Sequence, residues 1–261
     1  GTITLNDASV SLSGSSSDVT AALNGFTNYT GNVSLGDAHT LAQLKTINNA
    51  TSGSITLNDA SVALSGSSAD IAAALTGITS YTGTASLTSN HTLAELVVIN
   101  NATSGTITLN SYGVALSGST SDIKAALAGT FASSYTGNVT LGDANTTDIT
   151  STDITTIANA TSGTVTVTNN IDINGTAAGV TSAVGVVDTF SGTPTATLNN
   201  AHTLAELKAI NNAIDGTITL NDASVALNGS SADIAAALTG ITSYTGNVTF
   251  TDSPTLAQLK A

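Results

Sequence analysis

The hexapeptide Gly-Thr-Ile-Thr-Leu-Asn opens the chain at Gly1 and returns, with small changes, at Gly53, Gly105, Gly163 and Gly216. A period near 52 residues marks a solenoid, propeller or array, in which one unit cannot bury its apolar face alone and must stack on the next. The repeats run 1–52, 53–104, 105–162, 163–215 and 216–261, the last incomplete. They read as a single segment, an internal part of a longer chain. The sequence starts at a repeat boundary, stops within a helix pattern at Ala261 and shows no atypical capping unit. A residue that recurs once per repeat points to architecture before it points to an active site.

The second repeat shows the unit plainly. Ser54-Ile55-Thr56-Leu57-Asn58 alternates polar and apolar residues, the pattern of a half-buried strand, and Ser61-Val62-Ala63-Leu64-Ser65 alternates again after the turn residues Asn58-Asp59. Ser67-Ser68-Ala69-Asp70 starts a helix whose apolar stripe is Ile71, Ala74, Leu75 and Ile78. Tyr81-Thr82-Gly83 leads into a third strand, Thr84-Ala85-Ser86-Leu87, and Thr92-Leu93-Ala94-Glu95 is a capping box for a second helix bearing Leu93, Leu96 and Ile99. Each half is a strand plus a short helix of about 22 residues, the size of a leucine-rich-repeat turn, with one extra strand per repeat. The expected fold is α/β: a repeat solenoid with parallel β-strands stacked on one side and short helices on the other, rising roughly 10 Å per repeat. The fourth repeat reads as degenerate over 171–180. The third carries insertions near Phe131 and over 148–153, which are expected to bulge as loops.

Composition narrows the function classes. Only 8% of residues are charged; four are lysine, none is arginine, and 17 are acidic, for a net charge of -13. Such a chain cannot neutralise phosphates, which excludes nucleic acid and argues against an anionic membrane surface. Cysteine is absent, so there is no disulfide framework and no thiol chemistry, and the lack of methionine as well suits an oxidising exterior. No run of 18 apolar residues is present to insert into a bilayer. The residues contain no nucleophile elbow, Cys-His pair or phosphate loop; no catalytic residue is expected and the chain does not read as an enzyme.

Units of the form Gly216-Thr-Ile-Thr-Leu-Asn-Asp-Ala-Ser-Val-Ala-Leu227, then Ser230-Ser-Ala-Asp-Ile-Ala-Ala-Ala-Leu238, with Thr203-Leu-Ala-Glu-Leu-Lys-Ala-Ile-Asn-Asn-Ala213, resemble the tandem repeats of very large secreted, adhesin-like surface proteins of bacteria, cyanobacteria especially. The resemblance spans the whole chain. It implies an extracellular or cell-surface structural component and brings no catalytic motif with it.

Four recurring residue sets could carry chemistry. Thr2, Thr4, Thr56, Thr106, Thr108, Thr164, Thr166, Thr217 and Thr219, joined by Ser34, Ser86, Thr140, Thr197 and Thr249, would form outward hydroxyl rows if the strands stack in register. Regular Thr-x-Thr rows suit an ice face, although threonine is also an ordinary β-former on a solvated strand. Asp7, Asp59 and Asp222 follow the first strand and Asp37, Asp143 and Asp252 the third. These six are the calcium candidates, since calcium takes six to eight oxygens, but Asp at turns and helix starts is also expected on local grounds. His39, His91 and His202 share one position, held by Asn145 and Pro254 in the other repeats, too far apart for one metal. Tyr29, Tyr81, Tyr135 and Tyr244 recur at another, as packing residues or as a carbohydrate-stacking row.

The function expected is structural: a filament, surface layer or adhesin stalk that self-associates along the solenoid axis and needs no cofactor. Ice binding through the threonine rows and a calcium-dependent adhesin module are the alternatives.

Overall fold

A computed structural model describes residues 5–26, 28–241 and 243–259. Among these, nine helices alternate with short strands, and all eleven strand pairings are parallel, an α/β fold. The packing divides into two compact units, one of residues 1–114 and 125–136, the other of 115–124 and 137–261.

The first unit contains β1 (Leu12–Gly14), α1 (Ser16–Leu23), β2 (Val33–Leu35), α2 (Leu41–Ala50), β3 (Ile55–Thr56), β4 (Leu64–Gly66), α3 (Ser68–Leu75), β5 (Ala85–Leu87), α4 (Leu93–Ala102) and β6 (Ile107–Thr108). Strand residues alternate as the pattern requires: Val33 and Leu35 are buried while Ser34 between them is exposed. The helices start where local chemistry starts them. Ser67 accepts from the Asp70 N–H ahead of α3, and Thr92 with Glu95 completes a reciprocal capping box ahead of α4. Helices of eight to ten residues are marginal in isolation and are held by their buried stripe, Ile71, Ala74 and Leu75 in α3 and Leu96, Ile99 and Ala102 in α4. Consecutive helices α1 to α4 pack each against the next.

The strands of this unit form two sheets, β1-β2-β3 and β4-β5-β6. The extra strand of the repeat is thereby placed. Ile55 pairs with Val33, closing one sheet, and after residues 57–63 have turned the chain away, Leu64 opens another by pairing with Ala85.

The second unit contains β7 (Leu116–Gly118), α5 (Thr120–Leu127), through which the division between the units passes, β8 (Val139–Leu141), β9 (Asp148–Thr150), α6 (Ser151–Ala160), β10 (Val165–Val167), β11 (Asp172–Gly175), α7 (Ala177–Val186), β12 (Thr189–Phe190), β13 (Thr195–Leu198), α8 (Leu204–Ala213), β14 (Ile218–Thr219), β15 (Leu227–Gly229), α9 (Ser231–Leu238) and β16 (Val248–Phe250). Its sheets are β12-β10-β8-β7, β14-β13-β11-β9 and β15-β16, and α6 to α9 pack in sequence. The described strands thus fall into five sheets rather than one continuous stack on one side, a correction to the expected single stack.

Two local expectations also fail. The insertion over 148–153 does not bulge: Asp148–Thr150 is strand β9, and Thr150 caps α6 by accepting from Asp153 N–H, because Ile154 and Ile157 supply a buried stripe at helical spacing. Phe131 bridges in parallel to Ile107 rather than looping out. The fourth repeat keeps its strand and helix as β11 and a ten-residue α7, since Ile173, Val180 and Val184 preserve the buried positions.

Candidate functional site

The residues that recur once per repeat meet at the seams between consecutive repeats. The histidine and tyrosine columns are one feature. His39 Nε2 lies 3.3 Å from the Tyr81 hydroxyl, 42 residues on, and His91 Nε2 lies 3.1 Å from the Tyr135 hydroxyl. Each phenol donates its proton at 2.5 Å to a backbone carbonyl of its own repeat, Val62 for Tyr81 and Val114 for Tyr135. With that proton committed, the phenol oxygen can only accept from histidine, so Nε2 of His39 and His91 carries a proton. His202 lies with its ring 6.2 Å from that of Tyr244 and tilted by 56°, and the Tyr244 hydroxyl donates to Val225 O. All three histidines are 4% exposed; their Nδ1 atoms, and Nε2 of His202 as well, have no partner among the described residues. Burial lowers the three imidazoles below the usual histidine range, against the upward pull of Asp59 and Asp37 on His39, Glu95 on His91, and Asp222 and Glu206 on His202. Burial likewise pushes the Tyr81 and Tyr135 phenols up to about 12.

Three further contacts repeat at the seams. Thr103 Oγ1 donates to Gly83 O at 2.7 Å and accepts from Gly105 N–H at 2.9 Å, and Thr51 and Thr161 do the same between Gly31 and Gly53 and between Gly137 and Gly163. Here the glycines are required, because a Cβ on Gly105 would enter the Gly83 carbonyl. Asn48 donates to the Ala74 and Thr76 carbonyls at the end of α3, and Asn211 to Ala237 and Thr239 at the end of α9, satisfying acceptors that a helix C-terminus leaves open. Lys45 pairs with Asp70 and Lys208 with Asp233 across a seam, and Lys124 pairs with Asp153 within the third repeat, each pair joining two helices and holding its carboxylate below the ordinary range.

The six aspartates proposed for calcium are not brought together. Asp7, Asp59 and Asp222 each close their own turn, accepting from the backbone and hydroxyl of Ser9, Ser61 and Ser224, which lowers their carboxyls. Asp37, Asp143 and Asp252 accept from the first N–H of the preceding helix, at Ser16 (2.6 Å), Thr120 (3.0 Å) and Ser231 (2.8 Å). Among the described residues no group of three or more His, Cys, Asp or Glu side chains converges.

The threonine candidates do not align from repeat to repeat. Thr2 and Thr4 lie outside the described residues. Thr56, Thr108, Thr164, Thr217 and Thr219 are exposed, and Thr106 and Thr166 half-buried. Thr56, Thr108, Thr166 and Thr219 belong to four different sheets, so each joins a short rank of its own: Ser13-Ser34-Thr56, Ser65-Ser86-Thr108, Ser117-Thr140-Thr166-Thr189, and Thr150-Asn174-Thr197-Thr219. The rows are broken for the reason the sheets are: residues 57–63 and their equivalents carry the chain off one sheet before the next begins.

Between α6 and α7 lies a cleft of about 410 Å³. Thr155 and Gly179 line it where the α2–α3 pair carries Lys45 and Asp70. Its walls are hydroxyls, one amide and Val186, with no acid, base or cation to drive a reaction. The seam residues had one sequence signal that reading each column separately overlooks. Histidine occurs in repeats one, two and four, and its tyrosine partner in repeats two, three and five. The third repeat has Asn145 at the histidine position, and the fourth contains no tyrosine at all. No family model, curated protein or solved structure matches the chain.

Proposed function

We propose that the chain is a repeat solenoid serving a structural role in an extracellular or cell-surface filament, layer or adhesin stalk, without catalysis. The observation that carries this reading is where the recurring side chains go. His, Tyr, Thr, Asn and Lys of one repeat each bond to a neighbouring repeat or close its helix ends, and none converges on a pocket with reactive groups. Parallel pairing at intervals of 21 or 22 residues, as in Leu12–Val33–Ile55, supports a coil that advances one strand per turn. The step from one sheet to the next would then wind the strand face around the axis. Strand edges at the ends of such a stack pair readily with another copy, which makes axial self-association the expected mode of assembly. The test is electron microscopy and sedimentation of the purified chain over a range of concentrations. Rods or filaments with an axial repeat near 10 Å per unit would support it. Compact round particles, monomeric at high concentration, would sink it.

A second reading, ice binding, draws on the four-residue rank Ser117-Thr140-Thr166-Thr189. It requires thermal hysteresis in the wild type that is lost when Thr166, inside that rank, is replaced by a bulky residue.

A further inference from the structure

We propose that the buried His–Tyr pairs are an acid-sensitive latch, so that the seams between repeats hold at neutral pH and loosen in mildly acidic surroundings. The geometry at His39 and His91 requires a proton on Nε2 and offers no acceptor for a second one on Nδ1. At His39 and His91 the tyrosine hydroxyl has given its proton to a carbonyl, so Nε2–H is the donor that the hydroxyl accepts from and Nδ1 faces no partner among the described residues, while at His202 neither ring nitrogen has one. A second proton would have to sit on Nδ1, creating a buried cation with a donor that nothing accepts. The carboxylates facing the three rings are Asp37 and Asp59 at His39, Glu95 at His91, and Glu206 and Asp222 at His202. Glu95 is engaged by Thr92 and Ser68, Glu206 by Thr203, and Asp37, Asp59 and Asp222 by serines, so none is free to turn inward and take up the new proton. A histidine faces a tyrosine at three seams, hydrogen-bonded to it at His39–Tyr81 and His91–Tyr135 and in ring contact alone at His202–Tyr244, and the partners are absent together at the seam between repeats three and four, where Asn145 precedes a repeat without tyrosine. Histidine and tyrosine therefore behave as one unit.

The sign follows from linkage. The folded imidazoles bind a proton less readily than unfolded ones, whose ordinary value is about 6.5, so the unfolded chain takes up more protons as pH falls below that value. Stability is fully present above it and declines below it, in a window where Asp37, Asp59, Glu95 and Asp222, held below the usual carboxylate range by their hydrogen bonds, stay ionised.

The experiment is urea unfolding of the full chain at pH 7.5 and 5.5, for the wild type and for the triple variant His39→Asn, His91→Asn, His202→Asn, which installs the residue the third repeat already carries. The wild type should show a lower midpoint at pH 5.5, and the variant the same midpoint at both. Equal pH dependence in the two proteins would overturn the latch. If the variant does not fold, NMR titration of the wild-type imidazoles decides: protonation well below 6.5 is expected, and protonation at or above it would refute the proposal.

Discussion

Replacing Tyr135 by Phe removes one oxygen from the tightest of these seams. That oxygen donates to Val114 O at 2.5 Å and accepts from His91 Nε2 at 3.1 Å, on a side chain that is 1% exposed. Phenylalanine keeps the ring and its contact with Phe131, so the change isolates the hydrogen bonds. A buried polar group left without its partner costs about 1–3 kcal/mol, and here two groups lose one, for an expected loss of about 2–6 kcal/mol. Tyr29→Phe is the internal comparison. Its hydroxyl reaches only Val10 O, and Val10 is 57% exposed, so water takes over the carbonyl and the loss should be about 1 kcal/mol or less. Urea unfolding followed by circular dichroism measures both, with an unchanged slope required for the comparison to stand. Hydrogen exchange should place the loss near the seam, with the Ile107 amide, which donates to Thr130 O, exchanging faster. If Tyr135→Phe costs no more than Tyr29→Phe, the seam bonds do not stabilise the fold as reasoned.

Gly105→Ala should destabilise by about 1–3 kcal/mol, because the new methyl group meets the Gly83 backbone rather than a side chain that can move; a thermal melt indistinguishable from wild type would show that the approach is looser than described. Tyr81 and Tyr135 should be the late phenols of the five tyrosines in an ultraviolet titration, ionising near 12. Because their folded values lie above the unfolded one near 10, stability should hold below pH 10 and decline above it, and ionisation of all five near 10 in the folded protein would contradict the burial argument. The melting temperature should be the same in calcium and in chelator, since the six candidate aspartates are occupied in turns and helix starts; a rise in calcium would reveal a site these contacts do not account for.

What was legible in the sequence was written within a few residues. The caps at Ser67 and at Thr92 with Glu95, the stripe Ile71-Ala74-Leu75 and the alternation of Ala85-Ser86-Leu87 each depend on neighbours within a turn of helix or a strand. The same rule explains the misread stretches. In 148–153 and 171–180 the familiar letters change, but the cap at Thr150 and the buried Ile154, Ile157, Ile173 and Val180 remain, and those positions make the elements. Tertiary structure alone decided which strands share a sheet, and therefore that Thr56 and Thr108 do not lie in one row. It decided too that Lys45 meets Asp70 25 residues on, and that His91 meets Tyr135 44 residues on. Such partners are chosen by the stacking register, which is the accumulated result of every turn and strand length between them. Residue type and local spacing say that a histidine and a tyrosine recur; only the packed chain puts the ring of one against the hydroxyl of the other.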